Sequence, residues 1–164
     1  MPIELRDVTP ADFPAIVELN NEAVPAVSES SLESIAWFAG VSSYFKVAIR
    51  DERLCGFLIA LTPDVQGYPS ENFHWFQSHY DNFVYVDRIV VAAGTRSTGL
   101  GKRFYEDLER HARRGAGRIT CEVNTRPPNE GSLRFHARQG FREVGTQDTE
   151  GGKKTVSLLS KELA

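Results

Sequence analysis

The chain has 164 residues, enough for one domain with a full hydrophobic core, and no linker divides it, so we predict a single domain over residues 1–164. Its formal net charge of -3 excludes nucleic acid and an anionic membrane as main partners, since both attract basic proteins. There is no long apolar run or signal-peptide pattern, and Cys55 and Cys121 lie isolated in apolar segments, so we expect a cytoplasmic protein with reduced core cysteines and no metal site.

In the first half of the chain, hydrophobic periodicity predicts one strand, two helices and a hairpin. Thr9 or Asp12 is placed to cap the first helix, and Ser31 begins the second helical pattern. A polar turn separates the two strands of the hairpin. The predicted strands are residues 3–8, 44–50 and 54–61.

The second half predicts four strands and two helices. The helix that follows the first of these strands has Phe104 and Leu108 on its apolar face and ends near Gly115 and Gly117. Residues 62–82 form a long connection between two predicted strands, and we predict a long ordered loop there. The predicted strands are residues 83–91, 119–124, 141–144 and 155–159, and the last helix is 132–139.

Residues 96–102, Arg-Ser-Thr-Gly-Leu-Gly-Lys, lie between a predicted buried strand and a predicted amphipathic helix. Two glycines allow a tight turn that brings main-chain N–H groups close to a ligand, and the helix adds its own unpaired N–H groups and its dipole. Arg96 and Lys102 add positive charge. This pattern predicts a phosphate-binding loop, although its spacing matches neither the dinucleotide motif nor the P-loop.

The loop resembles the R/Q-x-x-G-x-G signature of the GCN5-related N-acetyltransferases (GNAT). Residues 129–141, Asn-Glu-Gly-Ser-Leu-Arg-Phe-His-Ala-Arg-Gln-Gly-Phe, resemble the family's N-x-x-A/S-x-x-F/L-Y-x-x-x-G-F segment. The predicted order of elements is similar to that family over nearly the whole chain. The resemblance implies an α/β (α+β) fold with a mixed, mostly antiparallel sheet of about six to seven strands, flanked by about four helices.

The resemblance also implies acetyl-coenzyme A as cofactor. By position, the backbone of Ile89 and Val91 would pair with the pantetheine amides, and Arg96 is the leading basic residue of the motif. Asn129 would bind near the pantetheine or the pyrophosphate, or would cap a helix, or both. The loop residues that would hold the pyrophosphate are Ser97, Thr98, Gly99, Gly101 and Lys102.

Acetyl transfer to an amine requires deprotonation of the ammonium, stabilisation of an oxyanion and protonation of the thiolate. His136 stands where many family members have a tyrosine acid. A histidine acid would add a pH dependence near neutrality. The alternative is that His136 packs against Phe135 and the sheet and binds a backbone carbonyl.

Two strand carboxylates are candidates for the base, and we favour Glu122 over Asp87. The resemblance supports Glu122, because some ribosomal-protein N-terminal acetyltransferases have a glutamate at this place. The alternatives are that Asp87 pairs with Arg88 or Arg96 and that Glu122 faces solvent. Cys121 would point to the opposite face from Glu122, which favours direct attack in a ternary complex over an acetyl-cysteine.

The acceptor side is predicted from the aromatic residues of segment 62–82, which include Trp75 and Tyr80. We predict that this segment covers the acceptor together with residues 20–25, where Glu22 would favour a cationic amine or simply face solvent. A homodimer interface is the alternative use of the aromatic cluster. The acceptor class is a small-molecule or peptide amine. Other candidate functions are a non-catalytic acyl-CoA-binding module and an acyltransferase that uses a longer acyl-CoA.

Overall fold

The computed structural model describes residues 2–113 and 115–163. Within these residues, seven strands form a mixed sheet in the order β1-β2-β3-β4-β5-β7-β6. The strands are β1 (Glu4–Asp7), β2 (Tyr44–Arg50), β3 (Arg53–Leu61), β4 (Val84–Val91), β5 (Arg118–Arg126), β6 (Arg142–Thr149) and β7 (Lys154–Glu162). The helices are α1 (Phe13–Glu22), α2 (Leu32–Val41), α3 (Glu71–His79), α4 (Leu100–Ala112) and α5 (Glu130–Arg138).

The pairing of the strands confirms the predicted fold class. β4 and β5 run parallel, whereas β1–β2, β2–β3, β5–β7 and β6–β7 are antiparallel pairs. The sheet is therefore mixed and mostly antiparallel, and it has one more α-helix beside it than the sequence predicted.

The predicted caps and turns explain several element boundaries. The Ser31 hydroxyl accepts a hydrogen bond from the Ser34 N–H at 3.2 Å, and the Ser34 hydroxyl accepts one from the Ser31 N–H at 2.9 Å. This reciprocal pair satisfies two N–H groups at the start of α2. Asp51 and Glu52 both have positive φ and form the tight turn of the β2–β3 hairpin.

The chain divides into two compact units. The first contains the described residues up to Leu61 together with Val86–His111. In its core, Gly56 of β3 allows α4 to lie close to the strand, because a Cβ there would come within 3.0 Å of Leu100 Cδ2 and of the Val90 carbonyl.

The second unit contains Thr62–Tyr85 together with the described residues from Ala112 onward. The prediction of a long loop at 62–82 was wrong, since α3 occupies its second half. The Ser70 hydroxyl caps this helix by accepting from the Phe73 N–H at 3.1 Å. Phe73 and Phe76 are fully buried, which explains two of the aromatic residues as core. A nine-residue helix with aromatic residues on several faces hides the helical period that prediction depends on.

Two further differences concern the ends of elements. β6 and β7 are longer than predicted, because their outer parts carry polar residues that dilute the apolar pattern.

Cys55 and Cys121 are buried thiols, as predicted. Among the described residues, no helix combines the length and apolar character that crossing a membrane needs.

Candidate functional site

The predicted phosphate loop lies in the first unit, between β4 and α4. A short 3-10 turn, Ala93–Thr95, follows β4. The Thr95 hydroxyl donates to the Ala92 carbonyl at 2.9 Å, and the Thr98 N–H donates to the Thr95 carbonyl at 3.2 Å. Gly99 then takes a φ of +79°, a left-handed conformation that favours glycine, and α4 begins at the next residue.

The loop presents hydrogen-bond donors and positive charge at the start of α4. The Arg103 N–H donates to the Gly99 carbonyl at 3.1 Å, so the N–H groups of residues 100–102 belong to the first turn of the helix. The helix dipole adds partial positive charge there. The exposed side chains around this turn include those of Arg96, Ser97, Thr98 and Lys102. This donor set suits a phosphate or a pyrophosphate.

Asp87 and Arg88 form an ion pair in β4. The Arg88 Nε donates to Asp87 Oδ2 at 2.7 Å, and both side chains are almost fully buried. The predicted pairing of Asp87 with Arg88 is therefore confirmed. Ile89 and Val91 follow on the same strand and are half-buried. Their pairing with pantetheine, and the role of Asp87 as a base, stay predictions.

In the second unit, Glu122 of β5 accepts a hydrogen bond from the Tyr85 hydroxyl of β4 at 2.5 Å. Glu122 is half-buried, whereas Tyr85 is 1% exposed. The parallel register pairs Tyr85 with Thr120, and alternation then places Glu122 on the same face of the sheet as Tyr85. The ring of Tyr85 packs against Phe73 and Phe76 of α3, with centroid distances of 5.3 and 5.7 Å.

Sequence reasoning missed Tyr85. Alternation shows which residues of one strand share a face, but it does not show which residues of the neighbouring strand lie on that face. The register between β4 and β5 was needed to see that a phenol and a carboxylate would meet, and no local pattern supplies that register.

His136 of α5 is 3% exposed. Its Nδ1 lies 2.8 Å from the Ser132 carbonyl, and its ring contacts the rings of Phe135 and Phe141 edge-on. Because the carbonyl can only accept, Nδ1 is the protonated nitrogen and donates. Burial lowers the pKa of His136 below its ordinary 6.5, against a smaller opposing effect of the Ser132 carbonyl. These contacts are those of the packed alternative, and the role of His136 as an acid stays a prediction.

Asn129 is the N-cap of α5. Its side-chain oxygen accepts from the Ser132 N–H at 3.4 Å, and its own N–H donates to the Asn124 carbonyl at 3.0 Å. The capping role is confirmed. Contact with a cofactor stays a prediction, and the two roles are compatible because capping uses one oxygen of the side chain.

The three residues predicted for the acceptor lie in different units. Glu22 is the exposed last residue of α1 in the first unit. In the second unit, Trp75 of α3 stacks on His79 with a centroid distance of 3.7 Å, and the Arg118 guanidinium lies 3.9 Å from the ring centre of Tyr80. Contact of these residues with an acceptor, and the use of Trp75 in a dimer, stay predictions.

Comparisons with known proteins agree with this architecture. The family model described as the acetyltransferase (GNAT) family matches residues 13–141. The structure of Ard1 from Thermoplasma volcanium has a TM-score of 0.82 at 12% identity and covers 100% of this chain and 99% of its own. The structure of the ribosomal-protein-S18-alanine N-acetyltransferase from Escherichia coli has a TM-score of 0.74 at 15% identity and covers 99% of this chain and 95% of its own.

A third solved structure, the ribosomal-protein-alanine N-acetyltransferase from Brucella melitensis, has a TM-score of 0.69 at 22% identity and covers 98% of this chain and 99% of its own. A search of curated proteins found no match. At these identities the solved structures show a shared fold, and the family model supplies the membership.

Proposed function

This chain belongs to the acetyltransferase (GNAT) family and is an N-acetyltransferase, and from that premise we propose that it transfers acetyl from acetyl-coenzyme A to the amine of a small molecule or peptide. We take residues 1–164 as one acetyltransferase domain. The observation that carries the cofactor assignment is the glycine turn at Gly99, where β4 leads into the N-terminus of α4.

The residues of the loop fit the pyrophosphate of the proposed cofactor. Arg96 and Lys102 are exposed and would neutralise its charge, while first-turn N–H groups, including that of Gly101, would donate to its oxygens. In the same unit, the backbone of Ile89 and Val91 would pair with the pantetheine amides. Asn129 would add a contact from α5. When bound, acetyl-coenzyme A supplies an activated thioester.

Glu122 is our candidate for the group that receives the proton of the acceptor ammonium. The ammonium form of an amine must lose a proton before it can attack, and a carboxylate can receive that proton through water. The Tyr85 hydroxyl orients this carboxylate. Asp87 is the second candidate, but its carboxylate is almost fully buried and is already engaged in an ion pair with Arg88.

The proposed role of His136 as the acid has a testable requirement. The imidazole must be charged to protonate a leaving thiolate, and burial favours the neutral form of His136 at pH 7. Activity through this residue would therefore fall as the pH rises past its lowered pKa. The orientation of Cys121, opposite to Glu122 on β5 by alternation, supports direct attack by the amine rather than an acetyl-cysteine.

The acceptor is proposed at the level of its amine. Two of the similar structures are named as ribosomal-protein-alanine N-acetyltransferases, so a peptide with an N-terminal alanine belongs among the first acceptors to try. Glu22, Trp75 and Tyr80 are the proposed acceptor contacts. Glu22 would attract a cationic amine, and the two aromatic residues would contact its apolar part.

The test measures thiol release from acetyl-coenzyme A with spermidine, an aminoglycoside, free amino acids and an alanine-initiated peptide as acceptors. Glu122→Gln preserves the size of the side chain and should lower kcat by about a hundredfold, as for loss of a general base. Glu143→Gln is the matched control, since Glu143 is also a strand carboxylate that accepts from a neighbouring hydroxyl, that of Ser157 at 2.9 Å. Equal kcat for both variants, or no thiol release with any amine, would contradict the proposal.

A further inference from the structure

Arg88 carries a buried guanidinium in β4 of the first unit and is 8% exposed. Besides its ion pair with Asp87, its Nη1 donates to the Ser30 hydroxyl at 2.8 Å, to the Asn20 side-chain oxygen at 3.0 Å and to the Ser28 carbonyl at 3.2 Å. All three acceptors lie at or near the connection between α1 and α2. One strand residue therefore holds this connection at Ser28 and Ser30 and also holds α1 at Asn20.

A second set of hydrogen bonds holds the connection, residues 23–31. The Asn21 side chain donates to the Ser30 carbonyl at 3.1 Å and accepts from the Ser30 N–H at 2.9 Å. The Asn20 side chain donates to the Ser28 carbonyl at 2.9 Å. These hydrogen bonds and the Arg88 contacts both hold residues 28–30, whereas Val24, closer to α1, is 45% exposed.

The guanidinium also contacts α2, where its central carbon lies 5.2 Å from the ring centre of Phe38. Arg88 thus bridges α1, the connection, α2 and β4. Burying a charge is costly, and a well-packed apolar side chain would stabilise the same interface at least as well. A guanidinium, however, directs several donors in a fixed geometry, so it holds a backbone segment in one conformation.

We propose that Arg88 is a positioning residue that fixes residues 23–31 on β4 and thereby sets the affinity for the acceptor amine. The inference rests on the proposed function, in which Glu22, next to this segment, contacts the acceptor and Ile89, next to Arg88, contacts the cofactor. A fixed segment would place the acceptor side beside the strand that holds the donor. A mobile segment would bind the acceptor more weakly and leave the cofactor site intact.

The experiment uses two variants of the full chain. Arg88→Lys keeps the charge beside Asp87 but loses the forked donors, and Ser30→Ala removes one acceptor of Arg88 while its ion pair with Asp87 stays. Arg6→Lys is the matched control, because Arg6 donates two bonds, at 2.8 and 2.9 Å, to Asp12 at the opposite end of α1. Amide hydrogen exchange, the Kd for acetyl-coenzyme A, and kcat and KM for the fastest amine of the panel are measured.

For both variants we expect exchange in residues 23–31 to accelerate about tenfold or more, the size expected for loss of one hydrogen bond to a charged group. The acceptor KM should rise by a similar factor, while kcat and the Kd for acetyl-coenzyme A change less than about twofold. Arg6→Lys should change neither exchange in 23–31 nor the acceptor KM.

Two results would overturn the inference. Unchanged exchange in 23–31 means that Arg88 does not fix the segment, and accelerated exchange with an unchanged acceptor KM means that the segment does not bind the acceptor. Failure of the proposed function has a different signature, because the unmodified protein would then acetylate no amine of the panel, and the inference would fall with it.

Discussion

Gly99 offers a sharp test of the cofactor assignment, because the chain contains a matched control for it. Gly67 and Gly99 both have a φ of +79°, and in both cases a Cβ would meet no atom within 4 Å. Replacing either with alanine therefore adds backbone strain of the same kind and no steric clash. Gly99 precedes α4, whereas Gly67 lies in the segment before α3.

The effect on stability should be the same for both variants. The left-handed conformation costs an alanine about 1–2 kcal/mol, and the stiffer unfolded chain offsets about 0.4–1 kcal/mol of this. The net loss is about 1 kcal/mol for each variant, which lowers the Tm of a chain of this length by about 3 °C.

The effect on the cofactor should differ between them. Acetyl-coenzyme A at one hundred times its Kd should stabilise the unmodified protein by about 2.7 kcal/mol, or about 8 °C in Tm. Gly99→Ala moves the N–H groups of the turn and should weaken binding at least about tenfold, which reduces the stabilisation at the same concentration to about 1.4 kcal/mol or less. Gly67→Ala should keep the full shift in a thermal-shift titration.

The reasoning would be refuted by equal ligand-induced shifts in the two variants, since the turn at Gly99 would then play no part in binding. A much larger loss of Tm in Gly99→Ala without ligand would refute a different step, the assumption that the two glycines carry equal strain. An independent Kd from calorimetry separates weaker binding from a change in unfolding enthalpy.

Three further predictions follow from single contacts. Tyr85→Phe should lower kcat for thiol release about tenfold at unchanged acceptor KM, because Glu122 loses the donor that orients it; an unchanged kcat would remove Tyr85 from the mechanism. The pKa of His136 is lower in the folded protein than in the unfolded chain, so the unfolded chain binds the proton more tightly. The natural protein should therefore lose stability as the pH falls below about 6.5. His136→Gln should flatten the Tm profile between pH 7.5 and 5, and parallel profiles would contradict this. The hydrogen bond with Arg6 lowers the pKa of Asp12 from 3.8 to about 2. This ion pair therefore stabilises the fold above pH 3.8, and the stabilisation is lost as the pH falls through 2. Asp12→Asn should therefore lower the free energy of urea unfolding by about 1–2 kcal/mol at pH 7, a figure reduced for solvent screening because the Arg6 side chain is 36% exposed. The loss should become progressively smaller at pH 4 and pH 3.

The parts of the fold that sequence could predict depend on local chemistry. A serine cap at Ser31 and a polar turn at Asp51 act through their immediate neighbours, so short windows contain the information. The turn at Gly99 is of the same kind, because a left-handed glycine before an amphipathic helix is a local feature. The family resemblance then implied a mixed, mostly antiparallel sheet, which no window contains.

The parts that sequence could not predict depend on register and on long-range contacts. The donor to Glu122 lies 37 positions away in the chain, and the acceptors of Arg88 Nη1 lie between 58 and 68 positions away. Asp87 and His136 show a second limit, since their contacts are local and were among the alternatives that the sequence left open. Each is an ionisable residue on a predicted core element, and only the structure shows that the first is paired with its neighbour and the second holds a carbonyl.

The aromatic segment before β4 gains a different meaning from this long-range information. Prediction treated its aromatic residues as a surface that meets an acceptor or a second copy, yet Phe73 and Phe76 of α3 pack on the ring of Tyr85. Tyr85 in turn donates to Glu122. Helix α3 therefore immobilises the phenol that orients the proposed base, and a packed ring with two torsions loses little entropy when it holds that hydrogen bond. A cluster rich in aromatic residues near a catalytic strand can serve the reaction from the core, by making one hydroxyl rigid.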